Sequence, residues 1–204
     1  MKIYGISNSF MPLNRPGFSG SLELWESEMS CKQADKITDT FLFPELNGKK
    51  INSLCDLGCE KGGPTKILAN KFKIPYKNIL GVEYYYHCYS DFNKCEEDIV
   101  YYLNEVDTDR KFDMISLCRP DCFYRGTKAP ELLDAVAKRL SDDGYFFTYG
   151  ENSEMDKIMQ ACRDAGVKYK SKNYNWSSMC KDKPYDKYNL QAILIPKSEL
   201  LKCL

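Results

Sequence analysis

The chain has 204 residues, 29 basic and 29 acidic side chains, and an apolar fraction of 43%. That length suits one domain with a substantial core, the composition excludes wholesale disorder, and neutrality argues against nonspecific nucleic-acid binding by the whole surface. No apolar run is long enough to span a bilayer and the N-terminus is too polar for a signal peptide, so the expectation is a cytoplasmic protein with no membrane partner.

Residues 1–30 carry Pro12, Pro16, Gly17 and Gly20 and read as an irregular leader. Residues 31–46 read as a helix, with Ala34, Ile37, Phe41 and Leu42 near a helical period, ended by Pro44 and Asn47-Gly48. A short apolar strand follows at about 52–56. It runs into Asp56-Leu-Gly-Cys-Glu-Lys-Gly-Gly63, and Pro64 then suits the first turn of a helix over about 64–73. Strand, glycine turn and helix open a doubly wound α/β fold. Glycine lets the backbone turn sharply and a ligand come close, and the helix start offers unpaired N–H groups.

Asn78–Glu83 is the second strand and ends in an acid. Tyr84–Glu97 reads as a helix. Ile99–Leu103 is β-rich and reads as the third strand, with Asn104 and Glu105 at its carboxyl end. Alternatively, Asp91–Asn104 is one helix and Asp91 is the strand-end acid. Phe112–Cys118 is the fourth strand, with the loop Arg119–Gly126 after it. Pro130–Leu140 is an amphipathic helix, Asp143-Gly144 a turn and Tyr145–Tyr149 the fifth strand. Met155–Ala165 is a helix capped by Gly166. Val167–Tyr174 and Leu190–Ile195 are two last strands around a basic loop.

A dinucleotide fingerprint needs glycine where Glu60 stands. Here an acid precedes the glycines, where it would repel a pyrophosphate and attract a cationic amino group. The run Asp56-Leu-Gly-Cys-Glu-Lys-Gly resembles motif I of the class I S-adenosylmethionine (SAM) methyltransferases, D-x-G-x-G-x-G, with Glu60 the departure. The spacing from Asp56 through Gly62 and Gly63 to Thr65 also resembles that of the ribose 2′-O-methyltransferases, although their Lys-Asp-Lys-Glu tetrad is not visible. Phe112-Asp-Met-Ile resembles the family's approach to strand 4, and Leu140-Ser-Asp-Asp-Gly-Tyr its approach to strand 5. The resemblance spans about residues 50–196.

It implies a Rossmann-like, mostly parallel seven-stranded α/β sheet whose last strand is antiparallel. Residues 49–204 would form the SAM-binding domain, and residues 1–48 a leader and helix covering the cofactor site. Cofactor contacts would come from Asp56, Gly58, Cys59 and Gly62 at the methionine end. Glu83 and Tyr84 would sit at the ribose, Asn104 and Glu105 near adenine, and Cys118 after strand 4. The implied function is transfer of a methyl group from SAM to an unidentified small molecule, RNA or protein. Arg119, Asp121 and Tyr124 are the catalytic candidates: Arg119 to orient an anionic substrate, Asp121 as a base and Tyr124 to pack on substrate.

Two alternatives stay open. One is a degenerate, binding-only domain, because of Glu60. The other is an aminopropyl transferase, although strand 4 lacks the paired acids that hold a polyamine. The ten cysteines lack paired zinc spacing, and His87, the single histidine, lies in a predicted helix, so no metal is expected. The stretch 168–188 interleaves Lys168, Lys170, Lys172, Tyr174, Trp176, Lys181, Lys183 and Tyr185. It is a possible RNA surface or, as is common for basic loops, a solvated strand pair.

Overall fold

The structure, a computed structural model, describes residues 30–84, 92–120, 122–123, 126–175 and 189–204. A seven-stranded sheet holds strands β1 (Leu54–Leu57), β2 (Ile79–Glu83), β3 (Asn93–Glu96), β4 (Phe112–Cys118), β5 (Leu140–Glu151), β6 (Lys170–Asn175) and β7 (Asn189–Pro196). Their order is β3-β2-β1-β4-β5-β7-β6. The pairs from β3 across to β5 are parallel, and β7 runs antiparallel to both β5 and β6. The chain order reverses direction between β1 and β4, which puts a switch point at their carboxyl ends.

Strand alternation sorts the core into two layers. Leu54, Met114, Phe147 and Tyr149 face a helix α1 over 30–45 and helix α2 (Gly63–Phe72), meeting Ala34, Ile37, Leu42 and Leu68. Cys55, Leu57, Ile115, Leu117 and Phe146 face the other way. There they meet helices α3 (Ile99–Glu105), α4 (Ala129–Arg139) and α5 (Asn152–Asp164). Among the described residues, no helix is long and apolar enough to cross a membrane.

The expected third strand is wrong. Ile99–Glu105 is helix α3, and β3 is the polar segment Asn93–Glu96, which the sequence places inside the helix expected over 84–97. Asp98 decides the matter. Its Oδ1 accepts from the N–H groups of Val100 at 2.9 Å and Tyr101 at 3.0 Å, an N-cap that overrides the β-rich composition. Ile99, Tyr102 and Leu103 then bury one helical stripe. Strand β3 has a single neighbour and half-exposed side chains, so it lacks the apolar alternation that marks a strand.

Two smaller departures have local causes. The turn expected at Asp143-Gly144 is an irregularity inside β5. The register passes from Phe112↔Leu140 to Met114↔Tyr145, so the extra β5 residues bulge out. Helix α1 carries a π turn at Thr38–Leu42. The Thr40 carbonyl accepts from Lys172 Nζ at 2.8 Å, and its hydroxyl shares a 2.8 Å hydrogen bond with Tyr174.

Candidate functional site

Asp56 sits at the end of β1, 1% exposed. Its Oδ1 accepts from Ser116 Oγ at 2.6 Å, and its Oδ2 accepts from Thr65 Oγ1 in the first turn of α2. Both donors are fully buried. The acid thus locks α2 to β1 and β4 at the switch point. Burial pushes its carboxyl up to about 6; the Ser116 and Thr65 hydrogen bonds oppose that rise, and Glu83 and Glu60 add to it.

The loop above Asp56 is built on backbone conformations that glycine favours. Gly58 has φ +70° and Gly62 φ +76°, and Glu60 between them also takes φ +43°. Open space faces Gly58 where a Cβ would project. The Gly58 N–H donates to the Val82 carbonyl at 2.7 Å, tying the loop to β2. Glu83 grips it further: Oε2 accepts from Glu60 N–H and Oε1 from Tyr84 N–H, both at 2.9 Å. Lys94 Nζ donates to the Glu60 carbonyl at 2.8 Å. The Cys59 thiol is tucked inward, since a Cβ on Gly81 would fall 2.5 Å from its Sγ.

Across the switch point, β4 ends at Cys118 and the next residue leaves the sheet abruptly. Arg119 N–H donates to the Tyr149 carbonyl at 2.7 Å, and Arg119 takes φ +58°, a conformation disfavoured for any residue that carries a Cβ. Its guanidinium donates to Ser30 Oγ at 3.3 Å. Tyr149 lies opposite Cys118 in the sheet and is fully buried, with a hydroxyl that has no hydrogen-bond partner of good geometry. Burial drives both the Tyr149 phenol and the Cys118 thiol upward, so both stay protonated.

These groups enclose a cavity of about 230 Å³. Asp56, Gly58, Cys59, Glu60 and Pro64 form one side of it. Cys118, Arg119, Tyr149 and Glu154 form the other, and Ser30 of α1 closes an edge. Helix α1 also touches the start of α2, because a Cβ on Gly63 would lie 2.5 Å from Cys31 Sγ.

Of the residues singled out in the sequence, Asp56, Gly58, Cys59, Cys118 and Arg119 line this cavity. Gly62 caps α2 beside it, and Glu83 and exposed Tyr84 stand at the neighbouring strand end. Asn104 and Glu105 do not join them. They end α3, and there the Leu103 and Val106 carbonyls accept from Arg139, the residue before β5, so they sit toward the amino ends of the strands, away from the switch point. Asp121, Tyr124, His87 and Asp91 lie outside the described residues. Ser116, Tyr149 and Glu154 were not found from sequence. The one signal for Ser116 was a hydroxyl inside an otherwise apolar strand. Within the basic stretch, Lys170 pairs with Glu45, Lys172 with the Thr40 carbonyl, and Tyr174 is buried. Residues 176–188 lie outside the described residues.

No protein-family model and no curated protein sequence matches the chain. Solved structures do. The plantazolicin methyltransferase BpumL in complex with S-adenosylhomocysteine (SAH) is similar at TM-score 0.61 and 15% identity, over 86% of this chain and 88% of that one. A SAM-dependent methyltransferase from Archaeoglobus fulgidus is similar at TM-score 0.60 and 14% identity, over 86% of this chain and 99% of that one. A precorrin 8w decarboxylase from Methanobacterium thermoautotrophicum is similar at TM-score 0.55 and 14% identity, over 82% and 89%. At these identities the likeness is one of fold. The chain has the Rossmann-like fold of the class I SAM-dependent methyltransferases, with its last strand reversed.

Proposed function

We propose that this protein is a SAM-dependent methyltransferase. One observation carries the reading: a buried acid at the switch point lies beneath a loop with positive φ at residues 58, 60 and 62, beside an open cavity. The loop and Asp56 would take the methionine end, where a carboxylate faces an ammonium. Glu83 would accept from the ribose hydroxyls. A carboxylate oxygen can accept more than one hydrogen bond. Arg119 would meet the methionine carboxylate. Adenine would lie toward the carboxyl end of β3, not at Asn104 or Glu105. When bound, SAM supplies an electrophilic methyl group; the chain aligns the acceptor with it and excludes water.

Fold alone does not choose the reaction, since one structural neighbour is named a decarboxylase. Glu60 on the cavity wall favours the binding-only reading, because its side chain stands where the family motif has glycine. Calorimetry with SAM and SAH decides between them. The expected result is saturable binding of both and turnover of SAM to SAH with an acceptor. No heat and no thermal shift with either at millimolar concentration would refute the proposal. Binding restored only by Glu60→Gly would support the binding-only reading instead. Product analysis with decarboxylated SAM separates aminopropyl transfer.

A further inference from the structure

Glu60 stands where the family motif has glycine and takes φ +43°, a region that residues with a Cβ rarely adopt. Side chains from the neighbouring strands hold it at both ends. Its N–H donates to Glu83 Oε2 of β2 at 2.9 Å, and its carbonyl accepts from Lys94 Nζ of β3 at 2.8 Å. The Cys59 thiol is a longer donor to the same carbonyl, at 3.9 Å. The sheet register brings Lys94 there. Ser116, Asp56, Gly81 and Lys94 are lateral partners across β4, β1, β2 and β3, so they share one face of the sheet. Ser116 donates to Asp56 at 2.6 Å. Gly81 leaves space for Cys59 Sγ and the Phe92 ring, which a Cβ there would meet at 2.5 Å and 2.9 Å. Lys94, half-buried on the edge strand, ends the row, with its ammonium 5.7 Å from the centre of the Phe92 ring.

We infer that Lys94 is a positioning residue for the cofactor: by fixing the Glu60 carbonyl, it lets a glutamate hold the turn that glycine ordinarily makes. This rests on the methyltransferase reading above, in which the loop takes the methionine end of SAM. Glycine reaches positive φ at no steric cost, whereas a residue with a Cβ stays there only when its surroundings hold it. Without the clamp the Glu60 backbone would relax toward negative φ, and the N–H and carbonyl groups of the loop would turn with it. An ammonium is a strong donor to a carbonyl, and the Phe92 ring attracts the same charge. Glu83 holds the other end of the residue but has its own part at the ribose. Lys94 is therefore the side chain through which the geometry of the loop can be tested by itself.

The test uses full-length protein in two backgrounds, the wild type and Glu60→Gly. Lys94→Met removes the donor and keeps an unbranched stem. In ligand-free wild-type background it should speed amide hydrogen exchange at residues 58–62 about tenfold. Exchange in β4 should stay as in the wild type, which reports that the variant is folded. By calorimetry, Lys94→Met should weaken SAH binding about fivefold or more with Glu60 present. In the Glu60→Gly background, where the turn needs no clamp, the loss should be less than about twofold. Lys94→Arg should stay within about threefold of the wild type, because a guanidinium can donate to the same carbonyl. A purely structural Lys94 would cost the same in both backgrounds. Lys94→Met with unchanged exchange or unchanged SAH affinity overturns the proposal, as does an equal loss in both backgrounds. Wild-type protein that binds no SAH overturns the methyltransferase reading, and the exchange result alone then decides whether Lys94 positions the loop.

Discussion

Asp56→Asn is expected to make the ligand-free protein more stable at neutral pH while weakening SAH binding. The fold holds this carboxyl at about 6, against an ordinary 3.8, chiefly by burial. Between those two values the folded state binds more protons than the unfolded state. Stability is therefore undiminished below about pH 4 and falls as pH rises through about 6. The gap of roughly two pH units corresponds to a penalty of roughly 3 kcal/mol once the group is ionised. Asparagine cannot ionise and escapes it. Ser116 and Thr65 hydroxyls can donate or accept, so both hydrogen bonds to residue 56 can persist. For a chain of this size the gain amounts to a Tm rise of about 6–12 °C at pH 7.5. The check is thermal unfolding of both proteins without ligand at several values from pH 4 to 8. The Tm difference should be near zero at pH 4 and reach a plateau above pH 7. A difference that ignores pH, or an asparagine variant less stable at pH 7.5, would refute the argument. Bound SAH must be removed first, because saturating ligand stabilises the wild type by a comparable amount.

Other substitutions separate binding from folding. Glu83→Ala removes the acceptor of the Glu60 and Tyr84 N–H groups and should weaken SAH binding by about 1.5–3 kcal/mol, read by calorimetry. Arg139→Met should lower stability by about 1.5–3 kcal/mol in urea unfolding with SAH affinity nearly unchanged. Arg139 is buried at the end of α4 and its Nη1 donates to the Val106 carbonyl at 2.8 Å, closing the end of α3. Asp98→Ala should cost about 1 kcal/mol through the lost cap, measured as a lower urea midpoint at unchanged slope.

Much of the sheet was legible in the sequence because its central strands are buried on both faces and read as short apolar runs. The loop over 56–63 was legible as a turn because its glycines at 58 and 62 stand where the backbone takes positive φ. The segment 93–105 was misread for physical reasons. An edge strand has too little burial to stamp a pattern on Asn93–Glu96, and β-branched and aromatic residues at 99–102 outweighed a cap that was written one residue earlier at Asp98. The Ile99, Tyr102, Leu103 spacing was available and favoured the helix. The far wall of the cavity was not legible. Tyr149 read as core, Glu154 as an ordinary acid at a helix start, and nothing in the letters of Arg119 announces a left-handed backbone. Such residues acquire a role only when β4, β5 and α5 meet.

The π turn in α1 has a consequence for how the two ends of that helix are phased. One α-helical residue corresponds to a rotation of about 100°. Phe41 and Leu42, in the wider turn at Thr38–Leu42, seat on the core, while Ser30 and Cys31, about three turns earlier, face the cavity and the start of α2. Ala34 and Ile37, on the same side of the turn as Ser30, are buried as deeply as Phe41 and Leu42 beyond it, so inserting or deleting one amino acid at the turn would swing Ser30 off the cavity edge only by also lifting Ala34 and Ile37 from the core.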